Sequence, residues 1–156
     1  MSKVESRLGE LGIELPRPAA PVANYVGCVR SGGLLVVSGQ LPIGPDGKID
    51  PAHLGRVETD VTAEAARTAA RLCAINVLAQ LRAAIGNLDD VRGCLRLGGF
   101  IASGPEFTGH AAVMNGASDL VVEVLGEAGR HARSTIGVAG LPLGACVEVE
   151  GLFEVA

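Results

Sequence analysis

The 156-residue chain predicts an α+β fold in which two helices pack on one face of a mixed β-sheet, and three observations carry that expectation. Residues 145–155 alternate with period 2. Val147, Val149, Phe153 and Val155 share one parity, and Cys146, Glu148, Glu150, Leu152 and Glu154 share the other, as in a strand with one apolar and one acidic face. Two long stretches, 61–85 and 111–128, carry apolar residues at helical spacing and stop at Gly86 and Gly129. The segment order is arm, strand, strand, helix, strand, helix, strand, strand. It matches neither a strictly alternating doubly wound chain nor an all-β one. The length suits one core, so the expected organisation is an N-terminal helical arm over 1–20 and a single domain over 21–156.

In the arm, Val4, Leu8 and Leu11 fall at helical spacing before Pro16, Pro18 and Pro21 interrupt the backbone. Residues 25–30 and 34–38 read as strands joined by Ser31-Gly32-Gly33, a hairpin whose glycines supply positive φ. Pro45-Asp46-Gly47-Lys48 is a turn, not a phosphate loop, because Gly44 and Gly47 are too close together and Ile49 follows the lysine. The stretch 50–58 reads as loop, with His53 as a surface histidine lacking a second ligand at metal spacing. The first long helix starts at a cap, Asp60 or Thr62, and presents Ala65, Ala69, Leu72, Ile75 and Ala79 inward with a Leu78/Leu81/Ile85 edge. Asn76, near that stripe, reads as a structural hydrogen-bonding residue. Residues 91–101 form the next strand. The second helix turns Val113, Leu120, Val121, Val124 and Leu125 inward, although Gly116 weakens its first turn. Residues 134–139 read as a strand that Gly140-Leu141-Pro142-Leu143-Gly144 folds back against 145–155.

The net charge is −4 and the isoelectric point is near 5.3. With one Tyr, three Phe and no Trp, the chain lacks both the basic footprint and the stacking platforms of a nucleic-acid binder. Cys28, Cys73, Cys94 and Cys146 show no C-x-x-C spacing and read as reduced, buried small hydrophobes. No apolar run approaches the ~18 residues that span a bilayer, and residues 1–11 lack a signal peptide's apolar middle, so a cytoplasmic protein is expected. The mean hydropathy of +0.37 and the mixed apolar and acidic strand face point to subunit association in a ring of two or three, with clefts between subunits.

The histidines are His53, His110 and His131. They offer no catalytic triad and no metal signature. Arg133 is either an ion-pair partner for Glu148 or Glu150, or a fork for a ligand carboxylate. His131 lies two residues earlier, on the same side of an extended chain. Together with Arg133 and Glu148, the hydroxyls of Tyr25, Ser38 and Thr135 and the amide of Asn115 suit the binding of a small carboxylate and modest acid–base help to an already reactive substrate.

Pro21-Val22-Ala23-Asn24-Tyr25-Val26, Ser38-Gly39-Gln40-Leu41-Pro42, Asn115 ahead of a helix, Ala132-Arg133-Ser134, Leu141-Pro142 and Val147-Glu148-Val149-Glu150 follow one another in an order and spacing that resembles the RidA/YjgF family, also labelled endoribonuclease L-PSP. The resemblance implies a chorismate-mutase-like fold and a homotrimer with intersubunit sites. It also implies cofactor-independent hydrolysis of enamines and imines such as 2-aminoacrylate to 2-oxo acids and ammonia. By position, Arg133 would clamp the carboxylate and Glu148 would position or activate water, while Tyr25, Ser38, Gly39, Asn115 and Thr135 would line the cleft. Thr135 stands where many members carry Cys, Gly137 where Glu is frequent and His131 where Pro is usual, which marks a divergent branch. Two alternatives stand beside the deaminase: a non-catalytic trimeric binder of small carboxylates or protein-stabilising module, and an endoribonuclease suggested by the family label alone.

Overall fold

Thr62 starts the longest helix, its Oγ1 accepting a 3.1 Å hydrogen bond from the Ala65 N–H, and Gly86 ends it at φ 81°, where a side chain would be strained. A computed structural model describes residues 2–18, 20–21 and 23–156. It contains helices α1 (Lys3–Glu10), α2 (Ala63–Ile85) and α3 (His110–Leu125), and strands β1 (Cys28–Ser31), β2 (Leu34–Gln40), β3 (Val91–Ala102), β4 (Ala132–Val138) and β5 (Val147–Val155). The five strands form one sheet in the order β1-β2-β5-β3-β4. Only the β3–β4 pair is parallel. The sheet is therefore mixed, with α2 and α3 on one face as the sequence predicts.

The helix-facing parity of each strand is apolar and sealed. Leu35 and Val37 of β2, Cys94, Leu97 and Ile101 of β3, and Val147, Val149 and Phe153 of β5 are all at most 2% exposed. They meet Ala66, Ala69, Ala70, Cys73, Ala74, Val77, Leu78 and Leu81 of α2, and Val113, Met114, Ala117, Leu120 and Val121 of α3. Relative to the sequence reading, the buried stripe of α2 is rotated. Leu72 and Ile75 are only half-buried while the small residues Ala66, Cys73 and Ala74 are fully enclosed, because a helix lying flat on a sheet buries its small side chains at the line of closest approach. Asn76 donates to the carbonyls of Leu41 and Ile43 at 2.9 and 3.0 Å, a structural role as expected.

Two expectations need correction. The segment 140–144 does reverse the chain, but β4 and β5 are not partners, because β3 lies between them. A local turn signal fixes only the change of direction, and β5 gains two hydrogen-bonded neighbours, β2 and β3, by taking the centre of the sheet. His53 is buried, in a 3-10 turn over Pro51–His53, and its carbonyl accepts from the Cys146 N–H at 2.9 Å. The chain entering β5 covers it. At the other end, Asp89 caps α1, accepting from the Ser2 hydroxyl and the Lys3 and Val4 N–H groups at 2.8–2.9 Å. These bonds, that from Val4 foremost, hold the Asp89 carboxyl below its ordinary range.

The second face of the sheet carries no helix. Val29, Leu34, Val36 and Ile136 are 57%, 45%, 51% and 52% exposed on it, beside Glu148, Glu150 and Leu152, which are half-buried. Val29 pairs laterally with Val36, and Val36 with Leu152, so these apolar side chains are contiguous across three strands.

Candidate functional site

The predicted site residues fall into two groups on opposite faces of the sheet. Arg133 pairs across the ladder with Leu97, whose side chain lies fully buried under the helices, so Arg133 also points to the helix side. There, its Nη1 donates to Asn115 Oδ1 at 2.8 Å and to Ser118 Oγ at 3.1 Å. Both acceptors are on α3, three residues apart and so on one helical face. Thr135 follows on the same parity of β4. Its Oγ1 is buried and has no partner among the described residues, a condition that costs about 1–3 kcal/mol unless a ligand or water meets it. His131 completes this half, with Nε2 2.9 Å from Ser118 Oγ and Nδ1 2.6 Å from the Gly129 carbonyl oxygen.

Glu148 belongs to the other half. It is level with Phe100 of β3, which is level with Ile136 of β4, and that row faces away from the helices. Its carboxylate lies against Gly39, where any side chain would collide with it. Burial, and behind it the nearby Glu150, pushes the Glu148 carboxyl above its ordinary value. Ser38 precedes Gly39 and donates to the Val26 carbonyl at 2.7 Å. Tyr25, 54% exposed, shares with Ser38, Asn24 and Val29 a shallow concavity on this side.

Arg133 and Glu148 thus stand on different strands and different faces, and no ion pair joins them among the described residues. The pairing of Arg133 with Glu148 or Glu150 that the sequence left open does not form within one chain. Among the described residues Arg133 is held by neutral acceptors only. Sequence reasoning missed Ser118 altogether; its spacing of three from Asn115 was the available signal. The cysteines offer no alternative nucleophile. All four are free, and burial pushes the thiols of Cys94 and Cys146 up to about 12 and 11, which keeps them protonated.

A helix-covered mixed sheet of this order, with an arginine held ready between its edge strand and a helix, defines a chorismate-mutase-like α+β domain. Residues 5–154 match the YjgF/chorismate mutase-like family model, whose description adds an endoribonuclease role as unproven. The chain belongs to this family. It is 48% identical to Protein TCP17 of Trypanosoma cruzi over 153 residues, 97% of this chain and 94% of that one. It superposes on the crystal structure of protein Atu1372, of unknown function, from Agrobacterium tumefaciens with a TM-score of 0.90 and 49% identity, covering 98% and 92% of the two chains. The likeness to RidA from the Antarctic bacterium Psychrobacter sp. PAMC 21119 is more distant, with a TM-score of 0.61 and 26% identity over 89% and 94%. Among the described residues no helix is long and apolar enough to cross a membrane.

Proposed function

We propose that the protein hydrolyses reactive enamines and imines of small 2-amino acids, such as 2-aminoacrylate, to 2-oxo acids and ammonia without a cofactor, in a homotrimer whose sites lie between subunits. The observation that carries this reading is Arg133, fixed by two neutral acceptors and without an acidic partner among the described residues, so that its charge is left for an anionic ligand. In the proposed reaction Arg133 binds the substrate carboxylate. The enamine gains a proton at its methylene carbon and loses one from nitrogen to become the imine. Water then adds to the imine carbon, and the resulting carbinolamine releases ammonia as its hydroxyl becomes the oxo group. Glu148, with its raised proton affinity, supports the proton transfers and orients the water. Because the substrate is already reactive, orientation and modest proton transfer suffice.

A serine or threonine dehydratase generating the enamine in situ provides the test. Added protein speeds release of ammonia and oxo acid, and Arg133→Ala reduces that acceleration about 100-fold or more. No acceleration by the wild type, or full activity in Arg133→Ala, would sink the proposal. Thr135 and Gly137 in place of the family's frequent Cys and Glu favour one second reading, a carboxylate-binding module without turnover. Calorimetric binding of a 2-oxo acid with no acceleration in the coupled assay selects it.

A further inference from the structure

We propose that Ser118 and His131 are positioning residues that aim Arg133, so that a ligand carboxylate is met by its Nε–Nη2 edge. The inference rests on reading Arg133 as a carboxylate clamp and concerns how that clamp is oriented. A guanidinium has five N–H bonds in a planar fork, two of them on Nη1. Both Nη1 hydrogens are engaged, one by Asn115 Oδ1 at 2.8 Å and one by Ser118 Oγ at 3.1 Å. Nε and Nη2 have no partner among the described residues. A carboxylate can therefore take two parallel bonds side-on, from Nε–H and Nη2–H, with the existing contacts intact. End-on approach through Nη1 and Nη2 would break one of them.

Hydrogen-bond directions fix the rest of the chain. The Gly129 carbonyl can only accept, so His131 Nδ1, 2.6 Å away, must carry the proton. The Nε2 of the neutral ring is then an acceptor. It takes the single hydroxyl hydrogen of Ser118 at 2.9 Å, which leaves the serine oxygen to accept from Arg133. Every donor points the same way, from Arg133 through Ser118 and His131 to the Gly129 carbonyl, and such one-directional chains strengthen each bond. The anchor is rigid. Gly129 is buried at the end of a 3-10 turn, packed so closely on the backbone of Val121 in α3 that it has no room for a Cβ. Asn115 and Ser118 are one helical turn apart on α3, so the guanidinium plane is held at two points by one rigid element, and Ser118 is in turn braced by His131, just ahead of β4.

Long-range proton–nitrogen correlation spectra of the wild-type protein read the first consequence. His131 is expected as the neutral Nδ1–H tautomer, and either the Nε2–H tautomer or a doubly protonated ring, in which Nε2 would donate to Ser118, would overturn the relay. Calorimetric titration with pyruvate reads the second. Ser118→Ala and His131→Leu are expected to weaken binding about tenfold or more, whereas Ser118→Thr and His131→Gln, which restore the hydroxyl and a neutral acceptor, stay within about threefold of wild type. Equal affinity across the four variants, or no binding of pyruvate to the wild type, would overturn the proposal. Should the tautomer and the affinity series emerge as expected while the dehydratase-coupled assay stays flat, the deaminase reading falls and the positioning role stands.

Discussion

The Glu148 carboxyl holds its proton more tightly than a free glutamate because it is drawn partly out of water over Gly39, with Glu150 adding like-charge repulsion. The sign of its effect on stability follows. In the unfolded chain the group titrates near its ordinary value of about 4.3; in the folded chain it titrates higher. Folding is unpenalised by Glu148 below the unfolded value, loses stability as pH rises through the folded value, and carries the full penalty above it. In a dissociated chain, such as one carrying Val36→Lys, Glu148→Gln is therefore expected to raise the thermal midpoint at pH 7 to 8, with the gain shrinking to nothing as pH falls below about 4. Melting curves of the two proteins across that range check it. A lower midpoint in the dissociated chain would overturn this burial argument, whereas in the assembled protein a neighbour's Arg133 beside Glu148 would reverse the sign and make the variant less stable at neutral pH. The same variant is expected to lose activity in the coupled assay, which separates the group's chemical use from its cost in stability.

Gly116 decides how closely α3 approaches α2. A Cβ at this position would meet the backbone carbonyl of Arg67 on α2, an obstacle that cannot rotate away. Alanine normally gains about 1 kcal/mol over glycine inside a helix, yet Gly116→Ala is expected to lower stability by about 1–3 kcal/mol because the helices must separate. Chemical denaturation measures it; a neutral or stabilising result would mean the helices do not touch there. Asn115 sits next to this contact, so the displacement also shifts the acceptor that holds Arg133. From sequence, Gly116 looked only like a weak first turn, because helix propensity is local and the surface that demands a glycine comes from another element. The same limit explains the other misses. The alternation of 147–155 was legible to the residue, since parity is a property of one strand, and so was the stop at Gly86, while the cap was narrowed to Asp60 or Thr62. That β5 lies between β2 and β3, that the alanines and Cys73 form the buried line of α2, and that His53 is enclosed all depend on segments distant in sequence. Arg133, Asn115 and Glu148 could be singled out by type and order. Their division between two faces of the sheet could not, because it is set by the registers of β4 and of β5 on β3, and a one-residue slip would swap the faces.

At the scale of the molecule, the open sheet face and the divided site pose one problem with one solution. The exposed Val29 and Val36, contiguous with Leu152, and the exposed Ile136 on the far edge strand make a surface that a lone chain in water does not favour, and Glu148 and Tyr25 lie on that side while Arg133 does not. If Glu148 of one subunit works with Arg133 of a neighbour, as in the proposed trimer, disrupting the face must cost activity without touching either half-site. Val36→Lys is expected to lower the mass seen by light scattering and to abolish turnover while leaving the fold intact by circular dichroism. Mixed assemblies give the sharper test. Chains carrying Arg133→Ala keep an intact Glu148, and chains carrying Glu148→Gln keep an intact Arg133, so each assembly made from one kind is inactive. In a ring with head-to-tail sites, random mixing of equal amounts places an intact Arg133 beside a neighbour's intact Glu148 at about one quarter of the sites. Co-refolded mixtures should accordingly recover about a quarter of wild-type activity. If both residues of a site came from one chain, every site in the mixture would lack one of them, and no activity would return.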